Sequence, residues 1–118
     1  MFSGIVVHGD GVAKGFGFPT ANIDCKIKNG TNTTQGVFAA IIKIDKKDYH
    51  GAAIVRVNKS VDCEIHILNF SGDLYGKYVE VNLIQKVSEI EKYDSQEELL
   101  EKIKHDIEMV KEVFIGRS

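Results

Sequence analysis

Hydrophobic and polar positions alternate along most of this chain up to Val87, and then the spacing changes to that of a helix. The alternating stretches predict extended segments at residues 4–8, 20–28, 36–45, 49–57, 61–70 and 78–87. Between them lie turn and loop signals: a glycine-rich run over 9–17, a polar run over 29–35, Lys46-Lys47-Asp48, Asn58-Lys59-Ser60 and Ser71-Gly72-Asp73. Ser95 with Glu98 three residues later forms a capping box. Leu99, Leu100, Ile103, Ile107, Val110, Val113 and Phe114 then recur at helical spacing, and Lys102, Lys104, Glu108 and Lys111 are expected to face water. Short strands joined by turns predict an antiparallel barrel or sandwich, with one amphipathic helix packed on it. Closure into a barrel would remove the exposed sheet edges that a small β-domain must otherwise protect.

Composition narrows this picture. A length of 118 residues suits one domain spanning 1–118, with no internal repeat or boundary inside it. The net charge of −2 argues against a nucleic-acid binder that works by broad phosphate neutralisation. Arg56 and Arg117 are the only arginines, so phosphate would be met largely by lysine, backbone amides or a metal ion. No cationic leader with an apolar run and no apolar stretch of membrane length is present, so the chain reads as cytoplasmic, with no membrane partner. In that setting Cys25 and Cys63 read as thiols rather than a disulfide. Cys63 and His66, three apart on a strand, face opposite ways and are not expected to share a zinc ion.

Two places carry candidate chemistry. Phe18-Pro19 opens an extended segment, because proline fixes its own φ and disfavours helix at the residue before it. On a strand, Thr20 and Asn22 then share a face beside a glycine loop, presenting the oxygen donors that a hard cation holding phosphates requires. The second place is Glu64, which shares one strand face with His66 while Cys63, Ile65 and Ile67 take the other. A carboxylate flanked by apolar residues is a candidate general base. On spacing alone, the simpler reading of Glu64 is an exposed glutamate on the wet face of a half-buried strand.

The succession Val7-His8-Gly9-Asp10-Gly11, Gly17-Phe18-Pro19-Thr20-Ala21-Asn22, Gly36-Val37-Phe38, Glu64-Ile65-His66-Ile67-Leu68 and Gly72-Asp73-Leu74-Tyr75-Gly76, closed by a helix after Asp94-Ser95, resembles the riboflavin kinases over nearly the whole chain. The resemblance implies a six-stranded antiparallel Greek-key β-barrel with one C-terminal α-helix. It implies transfer of the γ-phosphate of ATP to the 5′-hydroxyl of riboflavin, giving FMN and ADP. Glu64 matches the family's proposed base. Thr20 and Asn22 match residues that help hold Mg²⁺, with Zn²⁺ or Mn²⁺ as alternatives. Gly9, Gly11, Lys14, Gly15 and Gly17 match the phosphate loop, Asp73 and Tyr75 border the nucleotide, and Tyr93 lies on the flavin side. A monomer of the stand-alone kinase type, making no FAD, is expected.

The chain also departs from the family. Val12 and Ala13 replace a more usual arginine and glycine. Ile54 to Ser60 replaces a segment with asparagine-isoleucine-glycine and a proline-threonine turn. Ser88 stands where an arginine commonly helps to enclose the flavin. These changes keep two alternatives open: a catalytically impaired flavin- or nucleotide-binding domain on the same barrel, or a kinase for a different small alcohol.

Overall fold

The computed structural model describes residues 2–7, 21–24, 35–57, 61–68, 74–90 and 95–116. Six strands and one helix follow in chain order: β1 (Phe2–Val7), β2 (Ala21–Asp24), β3 (Gly36–Ile44), β4 (Lys47–Val57), β5 (Val61–Ile67), β6 (Tyr78–Ser88) and α1 (Gln96–Gly116). All neighbouring strands are antiparallel, and the sheet closes on itself in the order β1-β2-β5-β4-β3-β6. Strands β3, β4 and β5 run as consecutive antiparallel neighbours, and β6 returns to lie beside β3, which is the Greek-key arrangement.

Alternation decides the inside of the barrel. Val6, Ile23, Phe38, Ala40, Ile42, Ile44, Ala53, Val55, Cys63, Ile65, Ile67, Leu74, Val79 and Val81 form one buried cluster. Along β3 and β4 the residues of opposite parity, Ala39 and Ala52, face outward and are covered by Val110 and Phe114 of α1. Small residues at those two positions let the helix lie close to the sheet, where it packs on β3, β4 and β6. The ring of Phe114 also stacks on His50, centroids 3.9 Å apart and planes within 2°. The helix begins as the capping box requires, with the Glu98 amide donating to Ser95 Oγ at 3.2 Å.

Two features of the barrel differ from the sequence reading. The β3–β4 turn sits at Asp45-Lys46 rather than at Lys46-Lys47-Asp48, since Ile44 already pairs with Lys47. Both turn residues have positive φ, 51° and 69°, as a two-residue hairpin turn matched to strand twist demands. Lys102 does not face water: its ammonium hydrogen-bonds Ser88 Oγ at 2.7 Å and pairs with the buried Asp106 carboxylate. The i,i+4 spacing of Lys102 and Asp106 was the available signal for that pair.

Two bulges bend β6. Pairing with β3 skips Val87 between Val37↔Ser88 and Phe38↔Lys86, and skips Ile84 between Ala39↔Gln85 and Ala40↔Leu83. An extra residue on one strand raises local twist and curvature, which a closed barrel of six strands requires. At Gly51 the sheet comes so close that a Cβ would lie 2.5 Å from the His66 carbonyl oxygen and 2.7 Å from Ile42 Cδ1.

Candidate active site

The site lies on the outer face of the barrel, where β2, β5 and β4 run side by side. Ile23, Cys63 and Val55 point into the core, so Asn22, Glu64 and Ile54 point outward. Registration makes them consecutive: Val7 pairs with Asn22, Asn22 with Glu64, Glu64 with Ile54, Ile54 with Val37, and Val37 with Ser88. Directly opposed residues of antiparallel strands have Cβ atoms about 4.5–5.5 Å apart. An amide oxygen and a carboxylate are thereby neighbours across two strands that are 42 residues apart in the chain (64 − 22).

Glu64 is mostly covered, with 13% of its side chain exposed, and Ile54 opposite it is half-buried. Its Oε2 accepts a hydrogen bond from Arg56 Nη1 at 3.1 Å. Arg56 reaches it diagonally: Arg56 is registered with Asp62, two pairs along the β4–β5 ladder from Ile54 and Glu64. The sequence reading treated Arg56 as part of a divergent segment and assigned it no role. The turn signal at Asn58-Lys59-Ser60 held the clue, since the pairing of Val57 with Val61 on either side of it places 56 opposite 62 and diagonal to 64.

Tyr75 is exposed in the turn before β6, while its neighbour Leu74 is packed into the barrel core. Gly76 follows with φ of 82°, and its amide donates to the Val6 carbonyl at 2.9 Å, tying this turn to β1. Gly9, Gly11, Lys14, Gly15, Gly17, Thr20, Asp73 and Tyr93 lie outside the described residues. Ser88 begins the helix-side end of the site row, and the cation next to it is Lys102, supplied by α1 rather than by the strand. Among the described residues no three His, Cys, Asp or Glu side chains gather into a metal-holding group. No described helix is long and apolar enough to cross a membrane.

Comparison with known proteins agrees with this architecture. A sequence model of the family described as "Flavokinase: Riboflavin kinase" matches residues 1–114. The chain is 32% identical over 120 residues to an RNA-binding riboflavin kinase of Bacillus subtilis, covering 97% of this chain and 51% of that protein. It is 31% identical over 118 residues to a bifunctional riboflavin kinase/FMN adenylyltransferase of Escherichia coli, covering 95% of this chain and 37% of that enzyme. It thus spans about half or less of the curated relatives it matches. Among solved structures, a protein from Streptococcus pneumoniae titled as a macrolide-efflux protein superposes with a TM-score of 0.81 at 27% identity, covering 93% of this chain and 38% of that one. Riboflavin kinase from Trypanosoma brucei superposes with a TM-score of 0.68 at 22% identity, covering 95% of this chain and 77% of that one, a likeness of fold.

The fold and the matched family together define a flavokinase-type barrel. The chain belongs to the riboflavin kinase family.

Proposed function

We propose that this chain phosphorylates riboflavin, moving the γ-phosphate of ATP to the terminal ribityl hydroxyl and releasing FMN and ADP. The observation that carries this reading is the placement of Asn22 directly opposite Glu64 on one face, with both residues inside segments that match the family. Glu64 accepts the proton of the ribityl hydroxyl while that oxygen forms its bond to the γ-phosphorus and the bond to the ADP oxygen breaks. Phosphoryl transfer depends on orientation and charge neutralisation more than on covalent participation by the protein, so a rigid sheet face suits the task.

The donor set next to Glu64 fits a hard divalent cation: an amide oxygen from Asn22, to which Thr20 would add a hydroxyl. Mg²⁺ bound there would neutralise charge on the nucleotide phosphates. The loop bearing Gly9, Gly11, Lys14, Gly15 and Gly17 would hold the phosphates, with Asp73 and Tyr75 beside the base and Tyr93 toward the flavin. With ATP as donor, this reading places the chain in the cytoplasm. The RNA binding named for the Bacillus subtilis relative is not carried over, since a net charge of −2 supplies no broad basic surface.

The test is chromatographic detection of FMN after incubation of the purified chain with riboflavin, ATP and Mg²⁺, beside the same assay on Glu64→Gln. FMN from the wild type and a fall of about 100-fold or more in E64Q are expected, with ATP binding retained. Retained ATP binding with no FMN from the wild type would favour the impaired domain or a different alcohol as acceptor.

A further inference from the structure

We propose that Arg56 is a positioning residue for the reaction, holding the Glu64 carboxylate in the orientation in which it accepts the substrate proton. The inference rests on the reading of Glu64 as the base. Arg56 Nη1 donates to Glu64 Oε2 at 3.1 Å, and the two side chains are unequally placed: 51% of Arg56 is exposed against 13% of Glu64. The glutamate is therefore tucked against the sheet, and the guanidinium comes to it from the solvent side.

A glutamate has three rotatable side-chain bonds, and on an outer sheet face its carboxylate is free to occupy several rotamers unless something holds it. The register places Ile54 on one side of Glu64 and Asn22 on the other. Ile54 offers no polar atom, so it fills space without orienting the carboxylate. Arg56 supplies a directional contact, and because guanidinium stays protonated it neither takes nor gives the transferred proton. Its charge also offsets the repulsion between an anionic base and an anionic triphosphate brought to the same face.

Among the described residues, the other ionisable groups near this face are engaged elsewhere or do not suit this role. His66 lies two residues along β5 on the same face, opposite Ala52 and toward the helix-covered side. Lys86 pairs with Glu89 at 2.6 Å. Asp24 lies two residues along β2, is exposed, and as an anion cannot do what Arg56 does. An ion pair with one partner half in water adds little to folding, so substitution at 56 is expected to leave the barrel intact.

The test is a double-mutant cycle on kcat, using riboflavin, ATP and Mg²⁺ at enzyme concentrations high enough to follow slow turnover, with thermal melting of each variant. Arg56→Met in the wild-type background is expected to lower kcat about tenfold with KM for riboflavin and ATP within about twofold. In the Glu64→Gln background the same substitution is expected to change kcat less than about twofold, because the group it positions is gone. Arg56→Lys, which keeps a charged donor, should stay within about threefold of wild type. The proposal is overturned by an unchanged kcat in R56M, by the same fold-loss in both backgrounds, by a loss confined to KM, or by R56K falling as far as R56M. Wild-type turnover in E64Q alone would instead overturn the assignment of the base, whatever R56M does. Should R56M fail to fold, R56K in the two backgrounds completes the same cycle, with a loss in the wild-type background that disappears in E64Q as the supporting result.

Discussion

Asn22 and Glu64 sit directly opposite one another on β2 and β5, both facing outward, although the chain reaches one from the other only through two further strands. Neutral oxygen and anionic oxygen are brought together on a sheet whose opposite face is the barrel core, so neither can be displaced without disturbing Ile23, Cys63 and Ile65. That rigidity is what a phosphoryl-transfer site needs, since its rate depends on where groups are held.

Replacing Asn22 with Ala removes an oxygen donor without altering the strand's inward residues. Half-maximal FMN formation should then need about tenfold more Mg²⁺, while riboflavin binding, followed by fluorescence quenching, stays as in the wild type. An unchanged Mg²⁺ titration would detach Asn22 from the metal.

Lys102 and Asp106 form an ion pair within α1, with 13% and 9% of their side chains exposed, and Lys102 also donates to Ser88 at the end of β6. Asp106 Oδ1 has no hydrogen-bond partner among the described residues, so the carboxylate depends heavily on that ammonium. Lys102→Met should destabilise the fold by about 3 kcal/mol, read from denaturant unfolding, because it leaves a buried charge uncompensated. Adding Asp106→Leu should recover most of the loss, as exchanging a buried pair for apolar side chains commonly costs little. A single variant as stable as wild type would show that water reaches this pair.

Gly51 allows the backbones of β4 and β5 to close against Ile42. An alanine there meets a carbonyl oxygen belonging to the neighbouring strand, which cannot move without shifting the ladder. Gly51→Ala should cost about 1–3 kcal/mol by denaturant unfolding, and a stability equal to wild type would mean that the barrel relaxes there.

Lys77 reaches back to Asp45 in the β3–β4 turn, Nζ to Oδ2 at 2.7 Å. The hydrogen bond to Asp45, reinforced by the attraction of its carboxylate, raises the lysine pKa above its ordinary value of 10.5. A raised pKa on a base means that this contact favours the folded state below the unfolded value and is lost as pH climbs through the folded one. Asp45→Asn keeps a residue tolerant of positive φ in the turn. Its melting temperature should fall slightly below wild type at neutral pH, and the gap should close well above pH 10.5. A gap that persists at high pH would assign the loss to the turn rather than to the pair.

Much of this arrangement was legible one residue at a time. Alternation put Glu64 and His66 on one face of β5 and Cys63, Ile65 and Ile67 on the other, as the barrel shows. Ser95 and Glu98 marked where α1 begins, because a helix start leaves amides that only a nearby side chain can satisfy. The turn at Asp45-Lys46 was read one residue late, since either pair of polar residues offers plausible turn chemistry and only the Ile44–Lys47 register selects between them.

Periodicity and capping are local, so the sequence by itself determined which residues each strand turns inward and where the helix starts. Closure of the sheet is not local. It decided that β2 lies between β1 and β5, that Asn22 therefore meets Glu64, that Arg56 falls diagonal to it, and that Lys102 is drawn from water toward Ser88. The physical reason is that a strand's two-residue period specifies a face but not a neighbour. The neighbour follows only when every edge of the barrel has found a partner.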